Sequence, residues 1–285
     1  MNARLIFAAS ALPPGEARAI LSLLCSSTRR ARRTPYHAAR DRLKRRFKAA
    51  LMRVLKFAKH ETMRKLHRYA FNNRPLVGQE AQPQHPDAGR IAFSLEELRQ
   101  DLQRLILTEV PAMAAAGASD TLAELGYRDP WRVPAQATLD LVARRMNLIS
   151  GLSDELFQDV QREISEGLNA GESLAQIAAR LDGLFGPARA ELVADTETAA
   201  AFAFASDSAA RQAGVRFKQW IHSGLPKEPR PDHLAIDGLI VPVDEPYPVG
   251  DPPLRYPHDE LGAAEDVINC GCISVPATEE DYLSQ

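Results

Sequence analysis

Cysteine is scarce in this 285-residue protein, which contains only three, and long apolar runs are missing. So few thiols exclude the disulfide-dense scaffold of a small secreted domain. The apolar stretch 5–12 is much shorter than the roughly 20 residues of a membrane span. A single arginine precedes it, and Pro13-Pro14 interrupts it without a clear cleavage site. We therefore expect no membrane span, no signal peptide and synthesis in the cytoplasm.

A large net charge is also missing, because 35 basic side chains nearly balance 37 acidic ones. The charges are nevertheless unevenly distributed. Between Arg29 and Arg68 only Asp41 and Glu61 interrupt a long series of arginines and lysines, whereas the C-terminal third is acidic. Such a chain suits a scaffold that contacts two different surfaces, or a protein with one basic segment near nucleic acid. A solvated helix face would explain the same residues without any partner.

The basic region has the periodicity of a long amphipathic helix from Tyr36 to about Phe71. Its apolar stripe, which we interpret as a packing seam, comprises Leu43, Phe47, Leu51, Val54 and Ala58. No base-reading motif accompanies it, so any contact with nucleic acid would be electrostatic and independent of sequence. The candidate contacts for DNA phosphates or an acidic partner are Arg40, Arg42, Lys44, Arg45, Arg46, Lys48, Arg53, Lys56 and Lys59.

Proline, glycine and capping residues divide the remaining helical signal. Pro13-Pro14-Gly15 favours a first helix start, and Thr34-Pro35 is expected to break that helix. Ser94 and Glu97 have capping-box spacing and begin a helix that Pro111 should kink or end, with a further Ala-rich helix over 112–126. Later helices are predicted over 136–149, 153–169, 173–185 and 187–212, and the last but one begins with the capping box Ser173-Leu-Ala-Gln176.

After Gly214 the pattern changes to short strands and proline-rich loops. Strands are predicted over 215–221, over 239–243 and around the cysteines near residue 270, followed by a frayed polar tail over 278–285. The predicted fold class is therefore α+β and mostly helical. It has long N-terminal helices, a helical middle and a small C-terminal mixed α/β module with short strands.

Two of the three cysteines, Cys270 and Cys272, lie one residue apart, so in an extended segment both would project from the same face. Together with His233 they have the donor types of a zinc site, with His258 or Asp232 as a candidate fourth ligand. Such a site would stabilise a small module that has little core of its own. A disulfide between residues this close would be strained.

Two other interpretations use the same residues. In one, both cysteines are reduced, one of them is buried, and His233 donates a hydrogen bond to a backbone carbonyl. In the other, Cys270 or Cys272 is a nucleophile, His233 its base, and Asp237 or Glu197 orients the base. The sequence shows no nucleophile elbow, oxyanion hole or phosphate loop. Cys25 lies in an apolar stretch and is interpreted as a small buried hydrophobe.

Five short motifs, in order along the chain, resemble the phage Mu F-like minor head protein family. They are GESLAQIAARL at 171–181, ARAELVADTET at 188–198, GVRFKQW at 214–220, Asp232-His233 with Asp237-Gly238, and VINCGC at 267–272. The residues that carry the family pattern are Thr196, Glu197, Trp220, Asp237, Gly238 and Asn269. The chain departs from the pattern at Asp195 and Gly271, where the family typically has arginine, so any contact made by those arginines is lost or moved here.

The resemblance implies a structural minor capsid protein of a tailed phage or prophage-like particle, made in the host cytoplasm and located in the virion, inside the capsid or near the portal. The implied partners are the portal protein, the major capsid protein and packaged double-stranded DNA, bound without sequence specificity, in head assembly and DNA packaging or ejection. The predicted domains are a basic helical arm (1–72), a linker (73–93), a helical connector (94–135) and an F-like head morphogenesis domain (136–285).

A toxin-delivery or hydrolytic module that shares the F-like domain is the alternative. That interpretation predicts a catalytic domain after the cysteine strand. We expect none, because few residues follow Pro276.

Overall fold

Long helices come first along the chain and a small sheet comes last. A computed structural model describes residues 14–72, 88–132, 135–222 and 230–285, with side chains from Ala38 in the first range and from Gln136 in the third. Among these residues, the helices before the sheet are α1 (Pro14–Asn72), α2 (Ala88–Ile91), α3 (Leu95–Glu124), α4 (Ala135–Asn169), α5 (Leu174–Asp182) and α6 (Pro187–Gln212).

The C-terminal part alternates short strands with short helices. Its elements are β1 (Phe217–Ile221), α7 (Pro231–Ala235), β2 (Ile240–Pro242), α8 (Ala264–Val267), β3 (Ile273–Ala277) and α9 (Glu279–Leu283). The predicted α+β, mostly helical class is confirmed. In the described parts of the chain, no helix is both long and apolar enough to cross a membrane.

The helical bundle is organised around α3, which packs against α6, α4 and α1. The backbones of α3 and α6 approach closely at Gly117, where an added Cβ would lie 3.0 Å from the Phe202 Cα. Buried alanines on α6 permit this approach because they have little side chain. The hydroxyls of Thr121 and Ser206 are 2.8 Å apart in the same interface and satisfy each other.

The predicted packing seam of α1 faces this bundle. Phe47, Leu51 and Ala58 are buried, while Leu43 and Val54 are partly buried against the same core. The basic amphipathic region is thus part of the bundle, because other helices cover its apolar stripe.

Residues after α2 also enter the bundle core. Ile91, Ala92 and Phe93, at the end of the predicted linker, are all buried. The Phe93 ring makes edge-to-face contacts with Phe157 at 5.5 Å and with Phe185 at 5.9 Å between centroids. The rest of that linker (73–87), the apolar stretch 5–12 and the Cys25 side chain lie outside the described residues.

Several predicted helix breaks do not occur. Helix α1 continues through Thr34-Pro35, and α3 continues through Pro111 between the buried residues Val110 and Met113. An interior proline costs about 3 kcal/mol, and in α3 the burial of apolar side chains on both sides offsets that cost. Helix α4 continues through Ser153, whose hydroxyl donates to the Ile149 carbonyl at 2.8 Å instead of capping a new helix.

The predicted capping boxes are present, one in full and one in part. The Ser173–Gln176 capping box is present at the start of α5. At α3 the Ser94 hydroxyl accepts from the Glu97 amide, but the Ser94 amide donates to Glu61 of α1 at 3.1 Å. Half of the predicted box at Ser94 is therefore replaced by a contact between helices.

The sheet has the antiparallel order β2-β1-β3, with Lys218 opposite Val241 on one side and Pro276 on the other. The predicted strands near 215–221 and 239–243 are confirmed. The predicted frayed tail is wrong, because it forms α9 with a capping box between Thr278 and Asp281. Tyr282 of α9 stacks on Phe217 at 4.4 Å between ring centroids.

Candidate metal centre and basic helix face

Three of the predicted metal ligands meet in the core of the C-terminal module. His233 lies on α7, Cys270 follows α8, and Cys272 immediately precedes β3. The His233 Nδ1 atom is 3.6 Å from the Cys270 sulfur and 3.7 Å from the Cys272 sulfur. One donor atom from each residue lies within 4.8 Å of the other two, and all three residues are buried.

The geometry that brings the two sulfurs together is a turn and not a strand. The prediction that the cysteines lie within a strand is wrong, because β3 begins only at Ile273. Asn269 has a left-handed backbone (φ 57°), a conformation that asparagine tolerates better than most residues. After this turn the Cys272 amide donates to the Cys270 sulfur at 3.4 Å. Both cysteines are thiols and not a disulfide.

His258 approaches the same core from the loop before α8. Its Nδ1 atom is 3.0 Å from the Val267 carbonyl oxygen. A carbonyl only accepts, so Nδ1 carries the proton and the Nε2 lone pair is available. That Nε2 atom is buried without a hydrogen-bond partner. Burial lowers the pKa of His258 to about 4, which keeps the ring neutral at neutral pH.

Electrostatics around the thiols favour an anionic sulfur. The hydrogen bond from the Cys272 thiol is the largest of several effects that lower the pKa of Cys270, and His258 and His233 add to it. These effects shift Cys270 toward the thiolate, which is the form that binds metals. Asp232 and Asp266 form a second group with His233, again with donor atoms within 4.8 Å of one another.

The two acids proposed to orient His233 in a nucleophilic triad contact other groups. Asp237 accepts from the His222 amide at 2.7 Å, and Glu197 faces Arg145 at 3.5 Å. In the described part of the chain, no group hydrogen-bonds to His233 Nε2, and its Nδ1 faces the thiols and not a backbone carbonyl.

The predicted basic face of α1 divides into two sets. The inner set pairs with acids of the same chain. Lys44 lies 2.8 Å from both Glu191 and Asp195, and Lys48 also pairs with Glu191. Lys59 pairs with Asp182, and Arg46 donates to Glu109 at 2.8 Å. The outer set is exposed and comprises Arg42, Arg45, Arg53 and Lys56, whereas Arg40 is half-buried.

The family-motif residues occupy structural positions. Trp220 is fully buried at the centre of the module core, with its ring 5.3 Å from His233. Gly238 has φ +91° and donates its amide to the Trp220 carbonyl at 2.9 Å. Glu197 is buried in the bundle, where burial raises the pKa of its carboxyl despite Arg145. The neighbouring Thr196 hydroxyl is buried without a hydrogen-bond partner.

Sequence reasoning missed Arg145, the buried partner of Glu197. The signal was present, since Arg145 lies between Leu141 and Ile149 at four-residue steps and so falls on the apolar face of α4. It also missed Lys218, whose ammonium donates to the Arg255 carbonyl at 2.6 Å and lies over the Tyr247 ring. Nothing in the sequence around Lys218 distinguishes it from an exposed strand residue.

Comparison with known proteins finds similarity over part of the chain. Residues 158–275 match the family model described as Phage Mu protein F like protein. The uncharacterized protein YqbB of Bacillus subtilis (strain 168) is 28% identical over 164 residues, which cover 54% of this chain and 53% of YqbB, so the chain spans about half the length of that relative. No solved structure matches. The matched residues, which include all four candidate metal ligands, are thus similar to the Phage Mu F-like family.

Proposed function

We propose that this protein is a minor head protein of a tailed phage or prophage-like particle, located in the virion and acting in head assembly. The observation that carries the proposal is the family match over 158–275, because it spans the bundle helices α5 and α6, most of the sheet and the cysteine cluster. The resemblance of the separate motifs leads to the same family.

The most direct test is deletion of the gene in the phage or element that encodes it. We expect the protein to be detected by mass spectrometry in purified particles, and we expect the deletion to give defective heads in electron micrographs. Intact, DNA-filled heads that never contain the protein would refute the proposal.

A structural role, and not an enzymatic one, fits the cysteine cluster. The Cys270 and Cys272 side chains are in the module core, where a substrate carbonyl has no access to either sulfur. Cysteine nucleophiles instead lie in partly exposed sites.

We further propose that the outer basic set of α1 contacts packaged DNA or an acidic surface of the portal or major capsid protein. At 3.6 residues per turn, Arg42, Arg45, Arg53 and Lys56 lie within an arc of about 80° on the helix. This arc is opposite the buried Leu51, so the four charges form one exposed stripe on α1. Contacts of this kind with phosphates support packaging or ejection without reading sequence.

Two matched triple variants test the stripe. Replacement of Arg45, Arg53 and Lys56 by glutamine should weaken binding to double-stranded DNA. It should also reduce the slope of log affinity against log salt by up to about 2.7, since each phosphate contact contributes about 0.9. Replacement of the ion-paired Lys44, Lys48 and Lys59 by glutamine removes the same charge and should change the slope less. Equal slopes for both variants and the wild type would refute DNA contact through the stripe.

A further inference from the structure

We propose that His233, His258, Cys270 and Cys272 bind one zinc ion, through His233 Nδ1, His258 Nε2 and both sulfurs. This metal centre would be structural, and it does not depend on the role proposed in the phage head. It would connect α7, the loop before α8 and the start of β3, which are far apart in sequence.

The spacing of the first three donor atoms already matches zinc coordination. Zinc bonds of about 2.3 Å to sulfur and about 2.0 Å to nitrogen, at a tetrahedral angle, place sulfur and nitrogen about 3.5 Å apart. The two observed distances from His233 Nδ1 are 3.6 and 3.7 Å. Both sulfur–nitrogen distances are therefore close to those of a bound zinc ion.

The fourth donor is assigned from an unsatisfied buried atom. His258 Nε2 has no hydrogen-bond partner and is aimed by the Nδ1 contact with the Val267 carbonyl. A carbonyl behind a ligating imidazole is the usual way in which proteins fix its tautomer and orientation. His258 has φ 64°, a conformation that a residue with a Cβ adopts at a cost, and such strain concentrates at binding sites.

His258 Nε2 lies outside the group of donors that are within 4.8 Å of one another. The proposal therefore requires the His258 side chain to move toward the sulfurs when the metal binds. Asp232 and Asp266 have carboxylate oxygens within 4.8 Å of a ring nitrogen of His233. A carboxylate beside the second nitrogen of a metal-bound histidine can accept a hydrogen bond from it and stabilise the bound orientation.

The donor set selects zinc over harder cations. Thiolates and neutral imidazoles prefer zinc, whereas magnesium and calcium prefer oxygen ligands. A site with four protein donors leaves no position for water, which is the pattern of structural and not catalytic zinc.

The first experiment measures metal content in the full-length protein purified without chelators. We expect about one zinc ion per chain. Cys270→Ser and Cys272→Ser should lose it, while the control Cys25→Ser, which removes the thiol of α1, should retain it. If the cysteine variants do not fold, the wild type is stripped with a chelator and titrated with zinc. Stoichiometric binding there supports the site, and no binding at micromolar zinc refutes it.

The second experiment tests whether His258 is the fourth ligand. In the cobalt-substituted protein, His258→Gln should shift the visible d–d bands and weaken metal affinity at least tenfold, because loss of one ligand changes the tetrahedral field. The control His67→Gln removes an exposed histidine of α1 and should leave both unchanged. An unchanged spectrum and affinity in His258→Gln would refute the assignment of His258.

Discussion

The helical bundle and the C-terminal module are stabilised by different interactions. The bundle core contains large buried apolar residues from every long helix, among them Phe47, Ile106 and Phe202. Among the described residues, the apolar cluster at the centre of the module comprises Trp220 and six other buried residues, and two of these are Cys270 and Cys272. A core this small supplies little stability by itself, and small modules commonly add metals for this reason. Apolar burial therefore accounts for the stability of the bundle but not for that of the module.

The two regions are joined by charged side chains. Asp207 of α6 accepts from Arg211 at 2.7 Å, and Lys218 of β1 lies 3.7 Å from the same carboxylate. Arg211 also pairs with Asp244 beyond β2. These ion pairs supplement an apolar contact, because Tyr256 of the module is buried in the bundle core.

The largest expected effect is in the bundle core. Phe202→Ala removes a fully buried ring from the α3–α6 contact and should lower the free energy of unfolding by about 3–5 kcal/mol. Urea denaturation followed by far-UV circular dichroism measures it. A loss below about 1 kcal/mol would contradict the view that apolar packing holds the bundle.

A smaller effect is expected from the close approach of α3 and α6. Gly117→Ala places a Cβ 3.0 Å from the Phe202 backbone and should cost about 1–3 kcal/mol. Gly151→Ala on α4 is the matched control, since nothing lies within 4 Å of its added Cβ. The control should instead stabilise the protein by about 0.5–1 kcal/mol. If both substitutions shift the thermal midpoint in the same direction, the close approach of α3 and α6 does not exclude a side chain at Gly117.

The smallest effect concerns the ion pairs between α1 and α6. Hydrogen bonds from Lys44 and Lys48 lower the pKa of Glu191 below its ordinary 4.5. A carboxylate with a lowered pKa stabilises the fold above the unfolded-state pKa, and that contribution is lost as pH falls through the folded-state pKa. Since the pair is partly exposed, Glu191→Gln should cost only about 0.5 kcal/mol at pH 7.

The stability of this variant should approach that of the wild type as pH falls through the lowered folded-state pKa of Glu191. Urea denaturation at a series of pH values, from 7 down to the acid limit of the fold, measures the difference. A stability difference that persists at the lowest pH would show that Glu191 acts through packing and not through charge.

Local sequence signals predicted much of the fold. The seam of α1 and the Ser173 capping box were predicted correctly, because each depends on residues within a few positions of one another. The helix breaks predicted at Pro35 and Ser153 did not occur, and Pro111 does not end α3, since in α3 and α4 packing between helices outweighs local preference.

The candidate site was only partly predictable. Donor types identified Cys270, Cys272 and His233, but the turn at Asn269 and not strand alternation brings the sulfurs together. The pairing of α1 lysines with Glu191 and of Arg145 with Glu197 joins residues that are distant in sequence. No local pattern encodes such pairs, and so only the folded chain shows which basic residues face outward.

Hydrogen exchange of the full-length protein, with and without a zinc chelator, tests the central comparison most directly. We predict that chelation will increase amide exchange in the module, over 230–277, by at least tenfold, while α3 and α6 keep their protection. Uniform exchange in both regions under both conditions would contradict the account, since the module would then be as independent of metal as the bundle.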